Sequence, residues 1–185
     1  MKKIGGMVVA CCLAGVAQVA LAADFTVSSP QLAPEGRMAE AQVYNGFGCS
    51  GKNISPMLKW QNAPANTKSF AITVYDPDAP TGSGWWHWLI FNIPAEVSQL
   101  KENAGAPAAG LAPAGSLQSR SDYGTPGYGG ACPPTGDKPH RYLFTVFALD
   151  VPSLPLDANA SGAMVGFNLN SHAIAKTQLT VYYSR

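Results

Sequence analysis

Residues 68–75 read Lys-Ser-Phe-Ala-Ile-Thr-Val-Tyr and alternate without a fault. Phe70, Ile72 and Val74 fall on one side and Ala71, Thr73 and Tyr75 on the other, the period of two expected of a β-strand. Trp88 to Ile93 is continuously apolar and aromatic until Pro94 stops it, which suits a strand covered on both faces. Tyr142 to Leu149 is a third strong strand, and residues 25–28, 57–60 and 177–183 are weaker ones. Helical periodicity is rare. Its best instance runs from about Ala163 to Lys176, with Met164, Val165, Phe167 and Ile174 as the apolar stripe and Ser161 as the cap. Many short strands separated by Gly/Pro turns indicate an all-β sandwich with one late helix.

The N-terminus reads as an export signal. Lys2 and Lys3 precede an uncharged apolar stretch from Ile4 to Ala20, and Ala20-Leu21-Ala22 has the small-x-small form that a signal peptidase cuts. Cleavage after Ala22 leaves residues 23–185, a length suited to one domain with a substantial core. The apolar run is short and no charged stop follows it, which argues against a stable membrane anchor. Val8-Val9-Ala10-Cys11 loosely resembles a lipid-attachment site, but its cysteine comes too early in the apolar run. The expected destination is the periplasm, or the medium beyond it.

Processing removes Lys2, Lys3, Cys11 and Cys12. Basic residues then fall from 12 to 10 against 11 acidic ones, a formal charge of −1, and no Lys/Arg run remains. Nucleic acid is not an expected partner, because phosphate neutralisation needs clustered cations. The Ala/Gly/Pro-rich stretch 103–115 reads as a mobile surface loop.

Cys49 and Cys132 stay in the processed chain. In an oxidising compartment they most simply form one disulfide, with two separate thiols as the alternative. The chain-entropy picture gives such a bridge an upper stabilisation of about 4–5 kcal/mol. There is no C-x-x-C, so a thioredoxin-like redox role and a zinc ribbon both lack their ligands.

Asp76-Pro77-Asp78-Ala79-Pro80 is followed, after a Gly-rich turn, by Trp85-Trp86-His87-Trp88. Asp beside Pro is ordinary turn chemistry. An imidazole close to two carboxylates tends to hold its proton, however, and tryptophan walls would make a dry, partly positive cleft. A second segment, from Gly127 through Cys132-Pro133-Pro134 to His140-Arg141-Tyr142, reads as the other wall of the same pocket. Arg141 is expected to pair with a carboxylate or carbonyl, and His172 to be structural. Gly46-Phe-Gly-Cys-Ser-Gly51 matches G-x-G-x-x-G, but the following Asn53-Ile54-Ser55-Pro56 breaks the helix that a dinucleotide site requires. There is no G-x-S-x-G and no H-E-x-x-H, so no catalytic nucleophile, metal or cofactor is indicated.

Together these segments, with Asn53-Ile54-Ser55-Pro56, Asn92-Ile93-Pro94 and Ser161 to Gly166, resemble the phosphatidylethanolamine-binding protein family, in its bacterial Raf-kinase-inhibitor-like branch. The resemblance spans about Phe25 to Tyr183. It implies a two-sheet antiparallel β-sandwich with a small anion-binding pocket. The ligand-binding residues it implies are Asp76, Asp78, Trp85, His87, Pro133, Pro134, His140 and Tyr142. It also places the Cys49–Cys132 bridge beside the pocket rim and implies a homodimer. Phospholipid preference and kinase inhibition, properties of eukaryotic members with an additional C-terminal region, are not carried over.

The expected function is a non-enzymatic periplasmic binding protein. Its ligand would be a small phosphorylated or carboxylated anion, or an acidic side chain of a partner protein. His87 and His140 would donate, and Asp76 would orient His87 or accept from an amine. The alternatives are a protein-interaction module inhibiting a protease or signalling protein, and a hydrolase with a spatially assembled Asp/His site.

Overall fold

The computed structural model describes residues 23–185; the expected leader, with its cut after Ala22, lies outside the described residues. Along the described chain lie β1 (Thr26–Ser28), β2 (Asn45–Gly46), β3 (Cys49–Ser50), β4 (Leu58–Gln61), β5 (Ser69–Asp76), β6 (Trp85–Pro94) and β7 (Gln99–Leu100). They are followed by β8 (Leu117–Gln118), β9 (His140–Leu149), α1 (Gly162–His172) and β10 (Ala173–Tyr183). A five-stranded antiparallel sheet has the order β10-β9-β5-β6-β8, a three-stranded antiparallel sheet the order β1-β4-β7, and β2-β3 forms a small hairpin.

Alternation sorts the side chains between two cores. Phe70, Ile72 and Val74 of β5, with Trp88 and Ile90 of β6 and Phe144 and Val146 of β9, meet Leu58, Trp60 and Leu100 of the smaller sheet. The opposite parity, Ala71, Leu89 and Phe91, packs under Val165 and Leu169 of α1. The central strands are therefore covered on both faces, which is why β6 tolerates an unbroken apolar run. Each such fully buried large side chain contributes about 1.5–3 kcal/mol. No helix among the described residues is long and apolar enough to cross a membrane.

The C-terminal segment departs from the sequence expectation. The helix ends at His172, not near Lys176, and Ala173–Tyr183 pairs along the whole of β9. Without that partner β9 would leave a row of backbone donors and acceptors unpaired at the sheet edge, a cost no amphipathic turn could offset. The apolar stripe also differs. Val165 and Leu169 are buried, whereas Met164 and Phe167 are 51% and 71% exposed, and Ile174 belongs to β10. Ser161 is the cap, its Oγ accepting from the Met164 N–H at 3.3 Å. The stretch 103–115 is not all surface loop: Ala104 is buried, and the Gly105 N–H donates to the Ser55 Oγ at 2.8 Å.

Cys49 of β3 and Cys132 are bridged, with Cα atoms 6.0 Å apart. The link ties the β2–β3 hairpin to the segment that continues into Pro133. Arg185 ties the same two segments, donating to the Pro133 carbonyl at 2.7 Å and the Gly48 carbonyl at 2.8 Å. Replacing both cysteines by serine is expected to lower stability by about 2–4 kcal/mol. The midpoint in a thermal melt should fall by about 5–15 °C.

Candidate ligand pocket

One end of the five-stranded sheet carries the site. Antiparallel pairing brings the last residue of β5, Asp76, beside the first residues of β6 and β9, which supply Trp85, His87, His140 and Tyr142. These residues line a cavity of about 220 Å³, with Pro133 and Pro134 on another wall. A β-bulge places His87 there. Val74 pairs with Trp88 and Tyr75 with Trp86, so His87 is the extra residue on β6. Bulges re-aim a side chain that strict alternation would send to the other face.

Asp76 is buried and fully engaged. Its Oδ1 accepts from the N–H groups of Asp78 at 2.8 Å and Ala79 at 3.1 Å, closing the turn after β5. Its Oδ2 accepts from His140 Nδ1 at 2.8 Å. The expected Asp76–His87 pairing is thus replaced by Asp76–His140: β6 and β9 both flank β5, but His87 turns its Nδ1 to the Gly129 and Gly130 carbonyls and leaves the carboxylate to His140. His140 Nε2 lies 3.3 Å from Asp137 Oδ2, and both contacts are hydrogen bonds together only when both ring nitrogens carry hydrogen.

His87 also departs from expectation. Its Nδ1 donates to the carbonyls of Gly129 at 2.8 Å and Gly130 at 3.1 Å, while Nε2 is buried with no partner among the described residues. Burial lowers its pKa below the ordinary 6.5 and outweighs the opposing effects of those carbonyls and of the Asp76 and Asp122 charges. His87 is therefore a neutral acceptor rather than a standing cation. The unfolded chain binds its proton more readily than the folded one. Its contribution to stability is complete above about pH 6.5 and is lost as pH falls towards the depressed folded value. The urea midpoint should consequently drop less between pH 7.5 and 5.5 in His87→Asn than in the parent, and the His87 ring signals should titrate below pH 6.5.

Asp78 does not line the cavity. Arg141 Nε and Nη2 each donate to its carboxylate at 2.8 Å, with a third bond from the Arg141 N–H at 2.9 Å. This fork holds the Asp78 carboxyl well below the usual carboxylate range. Adjacent residues of β9 thus hold different carboxylates: His140 inward on Asp76, Arg141 outward on Asp78.

Tyr142 is buried beside His87, its ring edge-on at 5.1 Å between centroids. Burial, then the Asp76 charge, keeps its hydroxyl protonated far above the usual range. That hydroxyl and the Trp85 indole N–H have no partner among the described residues.

Sequence reasoning missed Phe47, Thr81 and Tyr123, which also line the cavity, and the Asp137 contact. Tyr123 stacks on Tyr44 with centroids 4.0 Å apart, and its hydroxyl donates to the Gly130 carbonyl at 2.9 Å. Its only signal was an aromatic residue within a Gly/Ser-rich turn. Among the described residues, no group of three or more His, Cys, Asp or Glu side chains is placed to hold a metal ion.

The profile of the family described as phosphatidylethanolamine-binding protein matches residues 28–184. The UPF0098 protein YbcL of Escherichia coli is 49% identical over 177 residues, covering 96% of this chain and 97% of that protein. The UPF0098 protein YbhB of the same organism is 50% identical over 148 residues, covering 80% and 92%. The crystal structure of E. coli YbcL superposes with a TM-score of 0.87 at 50% identity, covering 88% of this chain and 99% of that one.

Proposed function

From the premise that the chain belongs to the phosphatidylethanolamine-binding protein family, we propose that it is an exported, non-enzymatic binding protein for a small oxyacid group, phosphorylated or carboxylated. The observation that carries this reading is the partly enclosed cavity whose buried Asp76–His140 pair underlies unpartnered polar atoms of His87, Tyr142 and Trp85. Unpaired buried polar atoms cost about 1–3 kcal/mol each, and a ligand that pairs them recovers that cost. Non-enzymatic binding is the simpler role. Thr81 supplies the aliphatic hydroxyl of the lining, and it donates to the Gly84 carbonyl rather than to either histidine. Export to the periplasm is supported by the leader-like N-terminus and by the Cys49–Cys132 bridge, which persists in an oxidising compartment.

The ligand can also be an acidic side chain of a partner protein. Phe47, 71% exposed beside the cavity, favours this second reading, since a rim aromatic offers contact area to a docked chain.

Calorimetric titration with phosphate, phosphoethanolamine and acetate tests the proposal. Saturable binding is expected, at least tenfold weaker in Tyr142→Phe. Affinity unchanged by that substitution would remove Tyr142 from the site. Release of inorganic phosphate from phosphoethanolamine would replace the binding role by a hydrolytic one.

A further inference from the structure

The charged groups of the pocket are already committed to one another. Asp76 accepts from two N–H groups and from His140, and the second nitrogen of His140 faces Asp137. Asp122, the other carboxylate acting on His87, accepts from the Trp86 N–H at 2.7 Å. Tyr123 and Tyr142 pack edge-on against His87, and both hydroxyls are held protonated by burial. Among the described residues, the buried side-chain atoms of the lining left without a partner are His87 Nε2, the Tyr142 hydroxyl and the Trp85 indole nitrogen. His87 Nδ1 must donate, because Gly129 and Gly130 present carbonyl oxygens, so neutral His87 carries its lone pair on Nε2. The Tyr142 hydroxyl and the Trp85 N–H are the donors.

We propose that this pocket selects an oxyacid that still carries a proton, namely a phosphomonoester monoanion whose P–OH donates to His87 Nε2 while its other oxygens accept from Tyr142 and Trp85. The inference rests on the reading of the cavity as an oxyacid site. A sulfate ester or a phosphodiester of the same charge has no proton to give. It would set an anionic oxygen against the His87 lone pair, or require a proton on a ring that burial keeps neutral. A carboxylate, with its pKa near 4–5, is almost wholly deprotonated at neutral pH, whereas a phosphomonoester with its second pKa near 6 keeps about a tenth of its population protonated at pH 7.

Methyl phosphate and methyl sulfate, both monoanions at pH 5.5 and nearly equal in shape, separate the possibilities by calorimetry on the intact protein. Methyl phosphate is expected to bind at least tenfold more tightly than methyl sulfate at pH 5.5. Its affinity should fall about eightfold between pH 6.5 and 7.5 as the ligand loses its proton. Equal affinities for the two would overturn proton selection while leaving the anion pocket standing. Binding of neither would overturn both. An affinity for methyl phosphate that rises with pH would also overturn proton selection. In His87→Asn, whose amide can still reach the Gly129 carbonyl, the preference for methyl phosphate should shrink to about twofold. If that variant does not fold, the two ligands on the parent protein decide alone.

Discussion

Asp76→Ala is expected to lower folding stability by about 3–5 kcal/mol, because each buried donor left without its acceptor costs about 1–3 kcal/mol. Three donors lose their acceptor at once: the N–H groups of Asp78 and Ala79, and His140 Nδ1. Both Asp76 and His140 are buried, so solvent cannot replace the lost bonds. His140 keeps only its longer contact to Asp137, whose side chain is half-exposed. Asp76→Asn should cost less, about 1–3 kcal/mol, because one amide oxygen can still close the turn after β5. Both variants should lose oxyacid binding. Urea denaturation checks the first effect. A loss below about 1 kcal/mol for Asp76→Ala would mean that the pair contributes no more than an exposed one.

Gly130→Ala is expected to cost more than about 4 kcal/mol, at the upper end for a single substitution. A Cβ there would lie 2.1 Å from the Gln42 carbonyl oxygen and 2.6 Å from the Tyr44 nitrogen, both backbone atoms that cannot swing aside. The segment has no slack. The Gly130 N–H donates to Asn53 Oδ1 at 2.7 Å, its carbonyl accepts from His87 and Tyr123, and the next carbonyl accepts from the Tyr44 N–H. Any shift that relieves the clash therefore pulls the carbonyl away from His87 and opens the pocket wall. Gly136→Ala is the control. Its φ of +87° is unfavourable for alanine, a strain Gly130 does not share, yet a Cβ there meets nothing, so only about 1 kcal/mol of backbone strain is expected. Thermal melts of the two variants test the argument. Similar midpoints would contradict the tight approach of the two segments.

The three strong strands were legible because alternation and length report burial directly. The five-stranded sheet they build has β5 between β9 and β6, each identified from its own apolar pattern. The site was legible in its residue types but not in its partnerships. Asp76 and His87 are close in sequence, which suggests a pair. The sheet sets β6 and β9 on either side of β5, and His140 of β9, sixty-four residues away, takes the Asp76 carboxylate while His87 turns to the Gly129 carbonyl. Strand order depends on which edges find one another in space, and no local pattern encodes it. The inward turn of His87 rests on one extra residue in β6, and a run of aromatic residues gives no sign of which will be left unpaired. The state of His87 was misjudged for a related reason. Neighbouring carboxylates can be seen in a sequence, whereas the depth of burial that outweighs them cannot. The helix end was misplaced because residues 173–176 suit either state in isolation, and it is the open edge of β9 that draws them into β10.

The most direct test of the central claim is a long-range proton–nitrogen spectrum of the histidine rings, recorded at pH 6 while methyl phosphate is added. Free His87 is expected to carry hydrogen on Nδ1 alone. On addition of the ligand Nε2 should shift saturably as it accepts a hydrogen bond, with Nδ1 still on the Gly129 carbonyl. A free His87 protonated on both nitrogens, or a His87 signal unmoved at millimolar methyl phosphate, would contradict that claim.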